Sequence, residues 1–397
     1  MKEFAPTLLV WYAEECRDLP WRRTRDPYAI LVSEVMLQQT RAQTVEGYFV
    51  RFLREFPTPE ALAAASTEQV LKAWQGLGYY TRARNLHRAA QMISREYSGS
   101  FPQTVEALRR LPGVGGYTGA AVAAIAFGVP VAAVDGNVLR VMARVLDDPA
   151  DISLQKTKKS FEAQLQMWVP AKNPGDFTQA MMELGAMICT PKNPQCAQCP
   201  VTNLCQAKQR GSVARRPVKS PKAKPKTLEL YVVIIKTPQG IALRKRPETG
   251  MLAGMWEFVN FAKKTAESAN EIKEKPPNAS EAGESVSRIN DAKGSAVTQN
   301  AEGESVTSQN ADGERVASQP IAAALADLGI GGQLIAELGT TRHVFTHQIW
   351  NMHGVVWQSR QTEWPPEFRV CTVGEMLALP TPMAMRHWVA LAGGRSF

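Results

Sequence analysis

The sequence predicts two folded regions of different class: a mostly α-helical N-terminal domain over residues 1–206 and an α+β domain over 228–397. Three observations carry this. Apolar residues recur at helical spacing through the first half. A basic, proline-containing stretch follows, and beyond it the apolar period changes to two. At 397 residues the chain is long enough for two cores.

Asp26-Pro27 reads as an N-cap followed by proline at the first helical position. Ile30 to Thr40 continues that helix. Glu60–Ala65, Glu68–Trp74 and Ala83–Tyr97 keep helical spacing between Gly76, Gly78 and Gly99. Val105–Arg110, an alanine-rich Thr118–Phe127, Asn137–Leu146, Thr157–Trp168 and Asp176–Cys189 complete the helical region. Residues 207–227 are expected to be an extended interdomain linker, since 208–226 carry eight Lys or Arg, no acid and three prolines. Leu228–Ile235 and Ile241–Arg246 read as strands, and Val344–Gln358 as one or two more.

Residues 262–319 interrupt the second domain. They contain no Phe, Trp, Tyr or Leu, and a ten-residue pattern repeats from Asn290, Asn300 and Asn310 with a lone valine to pack. Such a segment buries too little apolar surface to offset its chain entropy, so we expect a disordered insertion. It holds seven basic and ten acidic residues; the rest of the chain therefore carries +12 against the overall +9.

No apolar run reaches the roughly eighteen residues of a membrane span, and Met1-Lys-Glu-Phe-Ala-Pro lacks a secretory design. We expect a cytoplasmic, nucleoid-associated protein with no membrane partner. A pI near 9.3 favours a polyanionic partner. Of six cysteines, Cys16 and Cys371 stand alone and four cluster, which reads as reduced thiols, not as a disulfide framework.

The cluster is Cys189, Cys196, Cys199 and Cys205, with six, two and five residues between them. Thiolates bind zinc or iron–sulfur clusters. Structural zinc sites usually pair two short Cys-x-x-Cys units; one such pair with two long gaps suits a four-iron cluster better, with zinc the alternative. Leu111-Pro-Gly-Val-Gly-Gly-Tyr-Thr118 joins two helices. Gly113 and Gly115 allow a sharp turn, and the following helix N-terminus offers N–H groups to a phosphate. A purely structural turn is the other reading. Glu34 falls on an apolar helix face, where desolvation raises a carboxyl pKa and makes a general acid; a rim glutamate paired with Arg41 is the plainer reading. Asp135 precedes Gly136-Asn137 and a helix, so it is an N-cap whatever else it does. Two carboxylates flanking an N-glycosidic bond supply an acid for the leaving base and an anion facing an oxocarbenium ion.

Trp21-Arg22, Ser33-Glu-Val-Met-Leu-Gln-Gln-Thr40, Gly76-Leu-Gly-Tyr-Tyr80, Leu111–Thr118, Val134-Asp-Gly-Asn137, Glu183-Leu-Gly185 and the cysteine quartet occur in one order along the chain. In that order the sequence resembles the MutY family of adenine DNA glycosylases, in the helix–hairpin–helix DNA glycosylase superfamily. The resemblance covers nearly everything outside 262–319. It implies a mostly α helix–hairpin–helix glycosylase domain with an iron–sulfur cluster loop, one [4Fe-4S] cluster, and a C-terminal α+β Nudix-like domain. It also implies a monomer acting on double-stranded DNA that carries adenine opposite 8-oxoguanine or guanine, with release of the adenine in base-excision repair.

By the same resemblance Glu34 protonates the flipped adenine, Asp135 stabilises the sugar cation, and Tyr117 and Asn137 lie beside the reacting sugar. Trp21, Arg22 and Glu183 match the adenine pocket; Gln39, Thr40 and Leu77 match positions near 8-oxoguanine; and Tyr79 matches a wedge that enters the base stack. Gly113 and Gly115 match the backbone clamp. In the similar endonuclease III a lysine stands at the place of Tyr117 and attacks the sugar as an amine. We therefore expect a monofunctional glycosylase without efficient lyase activity. Gly116 departs from the family, which often has proline there. Phe345, Thr346 and His347, within Val344-Phe-Thr-His347, match the loop that reads 8-oxoguanine. The stretch Ile321–Gly332 offers only Asp327 where a working Nudix enzyme needs glutamates for magnesium, so no hydrolase activity is expected of the second domain. Two readings compete: a pyrimidine-removing glycosylase/lyase, which Tyr117 opposes, and an iron–sulfur DNA-binding sensor, which Glu34 with Asp135 opposes.

Overall fold

The computed structural model describes residues 2–221, 224–263 and 311–394. It divides into two compact units, and within the described residues the second takes in the short turn Trp74–Thr81 as well as the chain beyond the linker.

The first unit is helical: α1 (Phe4–Glu15), α2 (Pro27–Leu37), α3 (Ala42–Glu55), α4 (Pro59–Ala64), α5 (Thr67–Ala73), α6 (Thr81–Glu96), α7 (Val105–Leu108), α8 (Gly116–Phe127), α9 (Gly136–Val145), α10 (Gln155–Gln166), α11 (Pro174–Glu183) and α12 (Gln206–Gln209). Helix α2 starts as the sequence predicts, with the Asp26 carboxylate accepting from the Tyr28 and Ala29 amides ahead of Pro27. Apart from Ser33 and Glu34 it is apolar, and Tyr28 to Met36 are all buried; a helix buried on every face has to be central. The expected continuation to Thr40 is cut short at Leu37. Arg82 reaches the freed helix end, donating to the carbonyls of Val35, Met36 and Gln38 at 2.6–2.8 Å. Gln39 turns to a φ of +60°. A guanidinium there complements the negative end of the helix dipole and satisfies carbonyls that lack helical partners. Helix α3 escaped the sequence reading. One core of this unit gathers Phe4 and Leu8 of α1, Val138 and Met142 of α9, Phe161 of α10 and Phe177 of α11.

Helix α11 passes into a π-helical turn, Leu184–Ile188, in place of the α-helix expected to run to Cys189. The segment 207–227 is also less free than its composition predicts. Through residue 221 it belongs to the first unit. Asp147 takes Arg216 at 3.0 Å, the Ile152 amide donates to the Val218 carbonyl at 3.0 Å, and Ser220 hydrogen-bonds Asp151. Two acceptor carboxylates on the loop after α9 hold a chain that is otherwise basic and without apolar anchors.

The second unit is α+β. Its strands are β1 (Lys226–Thr237), β2 (Gly240–Lys245), β3 (Trp256–Glu257), β4 (Val259–Ala262), β5 (Gln333–Val344), β6 (Gln348–Gln358) and β7 (Phe368–Cys371), accompanied by α13 (Ala311–Ala326), α14 (Val373–Ala378) and α15 (Arg386–Ala392). The sheet runs β3-β2-β1-β6-β5, with β4 also on β1 and β7 on β2. The β1–β6 pair is parallel, Leu230 facing Met352, while the other pairs are antiparallel. Central strand β1 shows why the period is two. Leu230, Val232 and Ile234 enter one core with Trp388; Tyr231, Val233 and Ile235 enter the other with Ile321 and Leu325.

Of the expected disordered span 262–319, residues 264–310 lie outside the described residues. Its two ends differ from the expectation. Ala262 closes β4, and 311–319 belong to α13, a helix seated on the sheet by Ile321 and Leu325 just after them. Among the described residues no helix is long and apolar enough to cross a membrane.

Candidate active site and iron–sulfur centre

Glu34 lies on the last turns of α2 and is 4 % exposed. Burial pushes its carboxyl up to about 7; the hydrogen bond from Tyr117 works against this, and the charge of Asp135 works with it. The Tyr117 hydroxyl donates to Oε2 of Glu34 at 2.6 Å and also touches Sδ of Met182 at 3.5 Å. The plainer reading, a rim glutamate paired with Arg41, is not what forms: the carboxyl turns inward.

Asp135 is the N-cap of α9, its Oδ1 accepting from the Val138 amide at 2.7 Å. Its Oδ2 accepts from Nδ2 of Asn137 at 3.0 Å. Asn137 is fixed from its other end, where Oδ1 accepts from Nη2 of Arg140 at 2.8 Å. Arg140 is itself buried and donates to the carbonyls of Gly185 and Cys189. Gly185 is the residue type this contact requires, because a Cβ there would stand 2.6 Å from Cβ of Asn137. The fold thus brings Glu34, Tyr117, Asp135 and Asn137 together from α2, α8 and α9.

Trp21, Arg22 and Glu183 form a second group. Trp21 is buried edge-on against Phe49. Glu183, fully buried, accepts from Nη2 of Arg22 at 2.7 Å. It also accepts from the backbone and side chain of Arg17 at 2.6–3.0 Å. Burial alone would raise the Glu183 carboxyl, but hydrogen bonds from Arg17 and Arg22 hold it at about 2. Sequence reasoning missed Arg17 and Arg140. Neither lies in a motif, and both are recognisable only once a distant carboxylate or carbonyl is placed beside them.

Gln39 and Thr40 lie off α2 in the turn that Arg82 gathers; Nη2 of Arg82 reaches the Thr40 hydroxyl at 3.1 Å. Leu77 is buried and Tyr79 exposed in the Trp74–Thr81 turn, where Gly76, Gly78 and Tyr79 all take positive φ. In the second unit Phe345, Thr346 and His347 form the β5–β6 hairpin loop, closed by the Phe345 amide on the Gln348 carbonyl at 2.8 Å. Phe345 packs against Trp350 and His343. The Tyr79 and Thr346 hydroxyls hydrogen-bond one another.

The turn Leu111–Gly115 joins α7 to α8. Gly113 has φ +79°, and a Cβ there would fall 2.6 Å from Cβ of Asn85. Gly115 is the N-cap of α8 and provides no side-chain cap. Gly115 and Gly116 are exposed with open space around them. The first amides of α8 therefore face outward, as an anion-binding helix N-terminus requires.

Cys189, Cys196, Cys199 and Cys205 line one pocket, floored by apolar side chains that include Val141, Val145, Ile188 and Val201. None is in a disulfide. The four thiols stand around the wall of one cavity, an arrangement that suits a polynuclear cluster. Burial pushes the Cys199 thiol up to about 12, so its ionisation depends on bound metal. An N–H donor, Nη1 of Arg144, stands 3.3 Å from Sγ of Cys189, as an anionic sulfur needs.

A glycine-turned helical hairpin that leads to a carboxylate, on a unit closed by a four-thiol pocket, defines a class of protein. The chain matches the HhH-GPD superfamily base excision DNA repair proteins over residues 32–171 and the iron-sulfur binding domain of endonuclease III over residues 189–205. It is 39% identical to the adenine DNA glycosylase of Homo sapiens, over 68% of this chain and 59% of that one. It is 34% identical to that of Schizosaccharomyces pombe, over 65% and 69%, and 31% identical to that of Buchnera aphidicola, over 65% and 75%. The chain belongs to the adenine DNA glycosylase family. It spans about three fifths of the length of the mammalian relatives it matches. The match over 189–205 takes in all four clustered cysteines, and the chain's cofactor is one [4Fe-4S] cluster.

Proposed function

We propose that the protein is a base-excision glycosylase that hydrolyses the N-glycosidic bond of adenine opposite 8-oxoguanine or guanine in duplex DNA. The observation that carries the reading is the buried Glu34 carboxyl, protonated near neutral pH and faced by the charge of Asp135. Glu34 gives its proton to the departing adenine. Asp135 stabilises the positive charge that develops on the sugar, and water completes the hydrolysis. Tyr117 fixes the Glu34 carboxyl and Asn137 fixes Asp135. The Glu183 group of arginines and Trp21 wall the base pocket; Gln39, Thr40, Leu77, Phe345, Thr346 and His347 read the opposite base, and Tyr79 fills the stack. Tyr117 has no amine with which to capture the sugar, which favours a monofunctional enzyme over a lyase. When bound, the iron–sulfur cluster serves to staple the loop 189–205; the chemistry above needs no electron transfer. The protein acts as a monomer, in the nucleoid-associated cytoplasm.

The test uses the purified protein and duplexes with adenine opposite 8-oxoguanine, guanine, cytosine or thymine. Adenine release is expected opposite the first two, with strand breaks appearing only after alkaline treatment. No release from any duplex defeats the proposal, and breaks without alkali move it to the lyase reading.

The hairpin yields a second expectation, because its two glycines are used differently. Gly113→Ala forces a side chain into positive φ and into Asn85, and should cost about 1–3 kcal/mol of stability in denaturant melts. Gly115→Ala meets nothing in the protein, so stability should stay within about 0.5 kcal/mol, while duplex affinity falls because the methyl keeps a phosphate from the α8 amides. Unchanged affinity in Gly115→Ala removes the hairpin from DNA binding.

A further inference from the structure

Arg144 projects from α9 into the pocket of the four cysteines and is 3% exposed. Its Nη1 donates to Sγ of Cys189 at 3.3 Å, to the Cys189 carbonyl at 3.3 Å and to the Thr190 carbonyl at 2.7 Å. Its Nη2 and Nε donate to the carbonyls of Pro191 and Arg216. The Cys205 thiol in turn lies 3.4 Å from the Arg144 carbonyl. Among the described residues, every acceptor around this guanidinium is a carbonyl or a sulfur. Carbonyls satisfy its N–H groups but leave a buried positive charge uncompensated, which proteins rarely tolerate. The missing anion is the bound cluster itself, since four thiolates outweigh the charge of the iron–sulfur core.

We infer that Arg144 is the built-in counter-ion of the iron–sulfur cluster: through the Cys189 thiolate it sets the cluster's reduction potential, and through the Cys189–Pro191 carbonyls it holds the first ligand in place. Charge and N–H donors at a cluster sulfur stabilise the more reduced state. Arg140 provides the comparison within the same helix. It is equally buried, and its bonds go to the Cys189 and Gly185 carbonyls and to Asn137. It shares the loop-holding role and serves to separate that role from contact with the thiolate.

The experiment compares purified, cluster-loaded wild type with Arg144→Met, Arg144→Lys and Arg140→Met. Iron per chain, the midpoint potential of the cluster and the rate of iron loss to a chelator are measured on each. Arg144→Met should lower the potential and speed iron loss about 10-fold or more. Arg144→Lys keeps the charge and should hold the potential near wild type, yet lose iron faster, because one ammonium cannot serve a thiolate and four carbonyls together. Arg140→Met should loosen the loop without a comparable fall in potential. A wild-type potential in Arg144→Met, or an equal fall in Arg140→Met, overturns the inference. If Arg144→Met does not fold, Arg144→Gln, which keeps an N–H donor without the charge, decides it: an unchanged potential again overturns the inference.

Discussion

Glu34→Gln is expected to slow single-turnover adenine release by about 10³-fold, within the roughly 10²–10⁴ range of a positioned general acid, while duplex affinity stays near wild type. The amide is isosteric and still accepts the Tyr117 hydrogen bond, so the variant removes the acidic proton and little else. The wild-type pH profile carries the same signature. The Glu34 carboxyl is held up to about 7, chiefly by burial. Its acid form therefore predominates below pH 7 and is lost above it. An enzyme that needs that form should show a rate that is flat on the acid side and falls tenfold per pH unit beyond the break. A rate that rises through pH 7–9, or wild-type release by Glu34→Gln, removes Glu34 from the acid role.

Asp135→Asn should separate the capping role of this side chain from its charge. Asn and Asp cap helices about equally well, so the Val138 amide keeps its partner and thermal stability should change little. On the proposed mechanism this charge faces the developing sugar cation, so release should fall by about 10²–10³-fold, the usual scale for one preorganised electrostatic contact. A second readout follows from coupling. The charge of Asp135 raises the Glu34 carboxyl, so in Asp135→Asn the break in the pH profile should move below that of wild type. A lower rate with an unmoved break would mean that the two carboxyls do not act as one site. A large drop in melting temperature would mean that the cap, not the charge, was lost.

Much of this was legible in the chain. The Asp26-Pro27 start of α2, the apolar character of that helix, the glycines of the Leu111–Gly115 turn and the two-residue period of β1 are local signals. They depend on backbone conformation and on which face of one element is buried, and neighbours in sequence determine both. The cysteine spacing likewise announced a metal site. Elements without such a signal were missed or misplaced. Helix α3 was overlooked, and α2 ends early where Arg82, forty-five residues on, donates to its loose carbonyls. The basic 207–227 stretch reads as solvent-exposed by composition, yet Asp147 and Asp151 fasten its first half.

The sequence by itself determined the class of each domain, the cofactor and the candidate acid and anion, because periodicity, ligand spacing and motif order are written in neighbouring residues. Tertiary structure alone decided that Glu34 is buried against Tyr117, that Asp135 is near enough to shift it, and that Glu183 is shared by Arg17 and Arg22. It alone placed Arg144 against a cluster thiol. A pKa or a buried charge depends on desolvation and on the few atoms within hydrogen-bonding reach, and here those atoms come from helices dozens to more than a hundred residues apart.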